Sequence, residues 1–247
     1  MSDLQYFLET TDTIMDGVGF SHFDMLHIGW LVAFLACAVL CCIWYRHLSE
    51  TGRDRWRKVL AILLVANEVF KDVMLLIGGR FAAAYLPLHL CSINIFVVAY
   101  HAWKPNKMVG GYLYTVCIPA AMAALLFPSW TKLPFGNFMH LHSFTVHIML
   151  ALYPIVLANA GETKPQPRDI PKYLLILVGL ALIALISNLL LDTNFMFLMS
   201  ADEGNPLYLF EQLWGSHLLG YPVLITAVLI VMFVPMMLLR KLKEKKA

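Results

Sequence analysis

Long apolar runs, separated by charged or Gly/Pro-containing segments, recur along the whole chain. About 20 apolar residues in a helix cross the ~30 Å hydrocarbon core of a bilayer. The runs predict seven transmembrane helices, at Met25–Tyr45, Val59–Gly78, Tyr85–Trp103, Gly110–Pro128, Met139–Asn159, Pro171–Leu191 and His217–Leu239. The sequence therefore predicts an all-α membrane protein, folded as a bundle of seven transmembrane helices.

The composition excludes several classes of protein. Of the 247 residues, 60% are hydrophobic and 14% are charged, whereas soluble domains have about 45–50% apolar and about 25% charged residues. The spans leave no room for a separate soluble enzyme, and a net charge of +2 does not predict a nucleic-acid partner. The five cysteines form neither a disulfide framework nor a CxxC metal motif.

Lysine and arginine alternate between the two sides of the predicted bundle. Fifteen of the 18 lie in segments of one side and two in segments of the other, while Lys71 lies within a span. The positive-inside rule then predicts an extracytoplasmic amino terminus and a cytoplasmic carboxy terminus. Residues 1–24 contain no Lys or Arg and do not resemble a signal peptide. The predicted organisation is an extracytoplasmic segment (1–24), a transmembrane domain (25–239) and a basic tail (240–247).

Polar residues within the spans are predicted to gather in the outer half of the bundle, whereas the cytoplasmic halves are largely apolar. Glu68, Lys71 and Asp72 share one face of the second span. The other polar residues at this depth are His89, Cys91 and Asn94, His140, His142 and His147, Asn188 and Asn194, and Tyr221. Such residues are costly in a membrane and indicate a functional cavity, although they also serve as ordinary interhelical hydrogen-bond partners.

Cys91 is the candidate nucleophile, because Asn94 follows it by three residues on the same helix. A nucleophilic cysteine needs a base, for which His142 or His147 is better placed than His89. The alternative is that Cys91 is a small buried residue. A zinc site built from His89, His140, His142 and His147 with Asp72 or Asp192 is a second alternative, although no HExxH motif is present. Transport through the charged residues is a third alternative, without a detectable internal repeat.

Several segments resemble the YwaF-like integral membrane family of bacteria, whose relatives include a eukaryotic transmembrane phospholipid acyltransferase. They are Leu86-Pro-Leu-His-Leu-Cys-Ser-Ile93, Ala124-Leu-Leu-Phe-Pro128, His140-Leu-His-Ser-Phe-Thr-Val-His147, Asp192-Thr-Asn-Phe-Met-Phe-Leu198 and Gly215–Pro222. Typical members have Gly-x-Asn-Tyr where this chain has Asp192-Thr-Asn-Phe195. They continue with a Lys-Pro pair where this chain has Ser-Ala-Asp-Glu-Gly-Asn-Pro206, so the loop differs in charge.

The resemblance implies a bacterial cytoplasmic-membrane protein in which Cys91 accepts an acyl group and a fifth-span histidine is the base. The resulting hypothesis is a cysteine-dependent lipid acyltransferase that works through an acyl-thioester, without a cofactor, on membrane lipids and a lysolipid acceptor. The catalytic residues are then Cys91, His142 and His147, and the substrate-binding residues His89, Asn94, Glu68, Lys71, Asp72, His140, Asn188, Asn194 and Tyr221. The alternatives are a transporter or binding protein for a small polar solute or lipid, and a zinc-dependent lipid hydrolase.

Overall fold

A computed structural model describes residues 3–201 and 205–244. In these residues the regular structure is helical throughout, with no β-strand, which confirms the all-α fold class. The helices are α1 Met25–His47, α2 Glu50–Ile77, α3 Leu90–Trp103, α4 Lys107–Leu126, α5 Phe138–Asn159, α6 Ile170–Leu191, α7 Pro206–Trp214 and α8 Gly220–Glu244.

The chain forms two compact units, Met1–Pro165 and Gln166–Ala247. The first unit contains α1 to α5 and the second contains α6 to α8. The boundary falls in the proline-containing connection after α5. The range 25–239, which the sequence assigns to one transmembrane domain, therefore contains parts of both units.

Five helical segments have the length and apolar composition that a membrane span requires. They are Met25–His47, Lys107–Leu126, Phe138–Asn159, Pro167–Leu191 and His217–Leu238. The protein is therefore a multi-pass membrane protein. The second and third predicted spans do not meet these criteria. The apolar part of α2 contains Glu68, Lys71 and Asp72, and the 14 residues of α3 extend only about 21 Å at ~1.5 Å per residue.

The second helix begins nine residues before its predicted start at Val59, so that prediction was wrong. The Ser49 hydroxyl accepts a hydrogen bond from the Gly52 amide (3.2 Å) and caps the helix. Asp54 pairs with Lys58 one turn later (2.7 Å), and the hydrogen bond from Lys58 lowers the pKa of the Asp54 carboxyl. The charged segment that resembles a loop in the sequence is thus a capped helical extension of α2.

The third helix begins later than predicted, at Leu90 rather than at Tyr85. Leu86 is extended (φ −57°, ψ 148°) because it precedes Pro87. His89 is the N-cap residue (φ −68°, ψ 152°) and not part of a helical face. The placement of His89 within a transmembrane helix was therefore wrong.

The remaining boundaries agree with the prediction within a few residues, apart from the last helix. His217–Leu219 form a 3-10 turn, and α8 begins at Gly220 and continues to Glu244. Within α4, residues Leu113–Cys117 form a π-helical segment.

Side-chain contacts show that α1 runs in the same direction as α5. Trp30 stacks on Phe144 with ring centroids 4.9 Å apart. Toward the other end of α1, the Tyr45 hydroxyl donates to Glu162, just after α5 (3.0 Å).

Helix α2 runs opposite to α5. The Asn67 amide donates to the Thr145 hydroxyl (2.7 Å), and eleven residues earlier on α2, Trp56 stacks on Tyr153 with centroids 6.2 Å apart. The two pairs occur in opposite order along the two helices, so α2 and α5 are antiparallel.

Helix α3 runs in the same direction as α5. The His101 Nδ1 and the Tyr153 hydroxyl are hydrogen-bonded (2.8 Å) near the end of α3, while before its start Lys71 donates to the Tyr85 carbonyl (2.9 Å). Helix α4 is antiparallel to α5 and touches it where the Cys117 thiol donates to the Leu150 carbonyl (3.4 Å). Successive helices of the first unit therefore alternate in direction.

The segment before α1 folds over the end of the first unit where α5 begins. The buried Asn137 amide donates to the carbonyls of Tyr6 (2.7 Å) and Glu9 (2.8 Å), while its oxygen caps α5. Glu9 also forms an ion pair with Arg80 (2.6 Å). A Cβ at Gly19 would overlap the Thr131 carbonyl, so only glycine allows this close approach.

Asp24 ends this segment and caps α1. Its two carboxylate oxygens accept hydrogen bonds from the backbone amides of His27 and Ser21, both at 2.9 Å. These hydrogen bonds stabilise the charged carboxylate and lower the pKa of Asp24.

Candidate functional site

A buried charged cluster connects α2 to α5. Lys71 forms an ion pair with Glu68 (2.6 Å) and a longer one with Asp72 (3.3 Å). From α5, the His142 Nε2 lies 3.5 Å from the second carboxylate oxygen of Glu68. Lys71 and Glu68 expose only 8% and 4% of their side chains, so their charges depend on each other rather than on water.

The position of His142 defines which of its ring nitrogens carries a proton. Its Nδ1 lies 3.1 Å from the Asn67 carbonyl, which only accepts hydrogen bonds, so Nδ1 is the donor. The Nε2 of a neutral ring then presents a lone pair to Glu68 Oε2, which has no hydrogen-bond partner among the described residues. These two acceptor atoms face each other without a hydrogen-bond donor from the described residues.

Cys91 lies in the first turn of α3, and Asn94 follows one turn later. The thiol is half-buried. Asn94 is fully buried, and its Oδ1 accepts a hydrogen bond from the Tyr112 hydroxyl (3.1 Å). Its Nδ2 has no acceptor among the described residues. A buried amide donor without a partner costs roughly 1–3 kcal/mol, so Asn94 marks a site that accommodates a further acceptor.

Tyr112 owes its position to an irregularity of α4. It immediately precedes the π-helical segment Leu113–Cys117. A π-helical segment changes the helical register locally and often occurs at functional sites.

The register of the helices indicates the depth of Cys91. His101 on α3 is level with Tyr153 on α5, and the two helices run in the same direction. Cys91 lies ten residues before His101 on α3, and Ser143 lies ten residues before Tyr153 on α5. Cys91 is therefore level with Ser143 to within about one turn. Cys91 and the histidines of α5 thus lie at the same depth as the buried charged cluster.

His147 differs from His142 in its ring environment. Its Nδ1 donates to the Ser143 carbonyl (2.6 Å), and its ring stacks on Trp130 with centroids 5.2 Å apart. Among the described residues no side chain or amide donates to its Nε2, which therefore retains an available lone pair.

His140 has both ring nitrogens engaged by the protein. Trp30 Nε1 donates to Nε2 (2.9 Å), and Nδ1 donates to the Leu133 carbonyl (3.0 Å). The residue is fully buried and contacts the rings of Phe20 and Phe144. This arrangement joins α1 and α5 and leaves no ring nitrogen available to a substrate.

In the second unit, the predicted site residues shape the turn after α6. The Asn188 side chain donates to the Phe195 carbonyl (3.0 Å) and accepts from the Phe195 amide (2.6 Å). Asn194 binds the backbone of Ser200, and the Tyr221 hydroxyl donates to the Met196 carbonyl (2.6 Å).

A second polar cluster lies at the end of the first unit away from the amino-terminal segment. Glu162 accepts hydrogen bonds from Tyr45 (3.0 Å), Arg53 (3.3 Å) and Arg57 (2.8 Å). The buried His101 is hydrogen-bonded to Tyr153 at the same end. Glu162, Arg53 and Arg57 lie outside the predicted spans, so the prediction of largely apolar cytoplasmic halves stays a prediction.

Comparison with known proteins identifies the family. The model of the TMEM164 family, a transmembrane family, matches residues 18–239. The chain belongs to the TMEM164 family. The match includes helices of both units. No curated protein and no solved structure matches the chain.

Sequence reasoning missed three side chains near the candidate site of this TMEM164-family chain. Tyr112 orients Asn94, Trp130 stacks on His147, and Thr145 binds Asn67. The buried Trp130 also has an indole N–H without a partner among the described residues. The sequence signal was weak, since an aromatic or hydroxyl side chain in a span is usually part of the packing.

The described part of this TMEM164-family chain contains no group of three or more His, Cys, Asp or Glu side chains arranged to hold a metal ion. The zinc alternative therefore has no ligand set within residues 3–201 and 205–244.

Proposed function

We propose that this TMEM164-family protein is a membrane acyltransferase that carries a fatty acyl group on Cys91 and transfers it between lipids. The observation that carries the proposal is the buried Asn94 amide. Its Nδ2 has no partner in the described structure, lies one turn from Cys91, and is oriented because Tyr112 holds the other end of the amide. The resemblance of the Cys91 segment to the YwaF-like family and its acyltransferase relative supports the same reaction.

Asn94 fits the role of an oxyanion donor. When the Cys91 thiolate attacks a lipid ester, an electron pair moves onto the carbonyl oxygen and a tetrahedral oxyanion forms. An oriented N–H donor without another partner stabilises that oxygen, and one such donor contributes about 3–4 kcal/mol to lowering the barrier.

His147 is the base in this proposal. Its Nε2 is available because Nδ1 donates to Ser143, whereas His142 is engaged with Asn67 and Glu68. His147 takes the thiol proton and returns it to the alkoxide that leaves when the ester C–O bond breaks. The lysolipid hydroxyl then attacks the thioester, which restores the Cys91 thiol and releases the new ester.

The charged cluster of Glu68, Lys71 and Asp72 binds the polar head group in this scheme. His89 precedes Cys91 at the start of α3 and contributes to the same binding region. In the second unit, Asn188, Asn194 and Tyr221 stabilise the turn after α6.

The proposed topology has seven spans, with the amino terminus outside and the carboxy terminus in the cytoplasm. The alternating directions of α1 to α5 and the uneven distribution of Lys and Arg support it. The site then opens toward the outer leaflet of a bacterial cytoplasmic membrane.

Mass analysis of the intact protein tests the reaction directly. Purified protein incubated with a phospholipid carrying an isotopically labelled acyl chain gains the mass of that chain, and hydroxylamine removes it. We expect Cys91→Ser to abolish the hydroxylamine-sensitive adduct, because the oxygen ester that serine would form resists hydroxylamine. Cys37→Ser, at an exposed position on α1, retains it. Two results contradict the proposal. One is a full hydroxylamine-sensitive adduct on the Cys91→Ser protein, and the other is wild-type protein that transfers lipid acyl chains without forming any adduct.

The second candidate function is binding or transport of a polar solute. It rests on one buried carboxylate oxygen, Glu68 Oε2, that has no hydrogen-bond donor among the described residues. Buried acceptors of this kind suit a ligand that brings N–H or O–H donors. A small molecule that co-purifies with wild-type protein and is lost in Glu68→Gln, without any acyl adduct, favours this function.

A further inference from the structure

Helix α7 carries an apolar arc that is only partly covered by the protein. Leu207 is buried, and Phe210 contacts the start of α8 so closely that a Cβ at Gly220 would overlap its ring. On the rest of the arc, Leu209, Leu213 and Trp214 remain 54%, 64% and 53% exposed.

The opposite side of α7 is polar. With about 100° of rotation per residue, Tyr208, Glu211 and Gln212 lie on one side of the helix and the apolar residues on the other. Trp214 lies one helical turn after Phe210, and the centroids of the two rings are 5.2 Å apart. The helix is therefore amphipathic, and its apolar side is wider than the contact with its own unit.

The exposed part of the arc continues into the surface of the neighbouring span. Leu218 and Leu219 in the turn after α7 are 48% and 52% exposed, and Val223 in the first turns of α8 is 41% exposed. The span His217–Leu238 is apolar and almost entirely unburied by the protein, as expected of a surface that faces lipid. The exposed side of α7 is thus continuous with a lipid-facing surface.

We infer that α7 is an interfacial helix, which lies along the membrane surface with Leu209, Leu213 and Trp214 among the lipid acyl chains. Tyr208, Glu211 and Gln212 face the head groups and water. Tryptophan prefers this boundary because its ring is apolar and its N–H is polar. An amphipathic helix binds the interface through its buried apolar area.

The charge around α7 indicates the type of lipid. No Lys or Arg occurs between Lys172 and Arg240, whereas Asp192, Asp202, Glu203 and Glu211 lie in the connection that contains α7. Without cations the helix gains nothing from anionic head groups. The fitting partner is therefore a zwitterionic leaflet, and this inference does not depend on acyl transfer.

Spin labelling tests the position of α7. The full chain, with its five cysteines replaced by alanine or serine, receives single cysteines at Leu209, Leu213, Tyr208 or Gln212 and is reconstituted in phosphatidylcholine vesicles. Accessibility to oxygen, which concentrates in hydrocarbon, is compared with accessibility to a water-soluble nickel chelate. We expect the oxygen-to-nickel ratio to be roughly tenfold higher at Leu209 and Leu213 than at Tyr208 and Gln212.

Two outcomes overturn the inference. High nickel accessibility at all four positions places α7 in water, and low accessibility of Leu213 to both reagents means that protein covers the arc. A melting temperature close to that of the cysteine-free parent shows that each labelled variant is folded. Leu213→Glu is expected to move the Leu209 label toward water, whereas the matched Gln212→Glu leaves it unchanged.

Discussion

At the residue scale, Asn94 illustrates how a buried polar group points to a reaction. Its Oδ1 is engaged by Tyr112, but its Nδ2 is left without a partner among the described residues. A buried amide with no role would be replaced by an apolar side chain at little cost in stability. The unpaired donor therefore suits the acyl oxygen of the proposed reaction.

Removing this amide is expected to affect transfer more than folding. Asn94→Leu combined with Tyr112→Phe removes both hydrogen-bonding partners, and paired removal is nearly neutral for stability. We expect acyl transfer to fall about 100-fold or more, measured with labelled phospholipid in detergent micelles. Tyr112→Phe alone serves as the control and has a smaller effect. A double variant with full activity contradicts the oxyanion role.

Asp24 permits a prediction of pH dependence. Its pKa is lowered in the folded state by the amides of His27 and Ser21, so its contribution is complete above the unfolded pKa of about 3.9 and is lost as the pH falls through the lower folded value. An asparagine at this position would cap α1 equally well without titrating. We expect Asp24→Asn to melt like wild type at pH 7 and to lose less stability at pH 3. The same loss of melting temperature on acidification in both proteins contradicts this role.

Only some residues of the candidate site could be predicted from the sequence. Cys91 and Asn94 follow from helical spacing, and the histidines of α5 from their position in a span. The choice between His142 and His147 required the structure, because it depends on which backbone carbonyl each Nδ1 contacts. The sequence spacing contains no such information.

At the element scale, the helices that depart from prediction are α2 and α3. The sequence of α1 is uniformly apolar and its bounds were predicted closely. Local charge pairing extends α2 out of its apolar run, and Pro87 delays the start of α3. Hydropathy describes which residues tolerate lipid, whereas caps and prolines determine where a helix begins.

The ion pair of α2 should be sensitive to the loss of one partner. Lys71→Met leaves the Glu68 carboxylate buried without its cation, which is expected to cost about 3–5 kcal/mol. Glu68→Gln with Lys71→Met removes both charges, and we expect this double variant to recover most of that loss. Melting curves of the purified proteins in one detergent measure both effects. A double variant less stable than Lys71→Met alone contradicts the pairing.

At the scale of the whole molecule, the sequence predicted the class of protein but not its internal division. The apolar runs and low charge content predict a multi-pass membrane protein, as found. The single transmembrane domain inferred from them contains parts of two units. Hydropathy is a local property, so it does not show that α1 to α5 share buried contacts among themselves.

The proposed topology makes a prediction about the two ends of the chain. In sealed, right-side-out vesicles, protease added outside is expected to remove an amino-terminal epitope tag and to leave a carboxy-terminal tag intact. Inverted vesicles should give the reverse result. Cleavage of both tags, or of neither, in sealed right-side-out vesicles contradicts an odd number of spans with the amino terminus outside.

The contact of Asn137 with the carbonyls of Tyr6 and Glu9 has a consequence for biosynthesis. Tyr6 and Glu9 precede Asn137 by 131 and 128 residues in the chain. The ribosome has therefore completed α1 to α4 before Asn137 emerges. Until then the carbonyls of Tyr6 and Glu9 lack this partner. The end of the first unit at which α5 begins is consequently completed only after Asn137 has been synthesised, and a chain that stalls earlier would expose its amino-terminal segment to quality-control proteases.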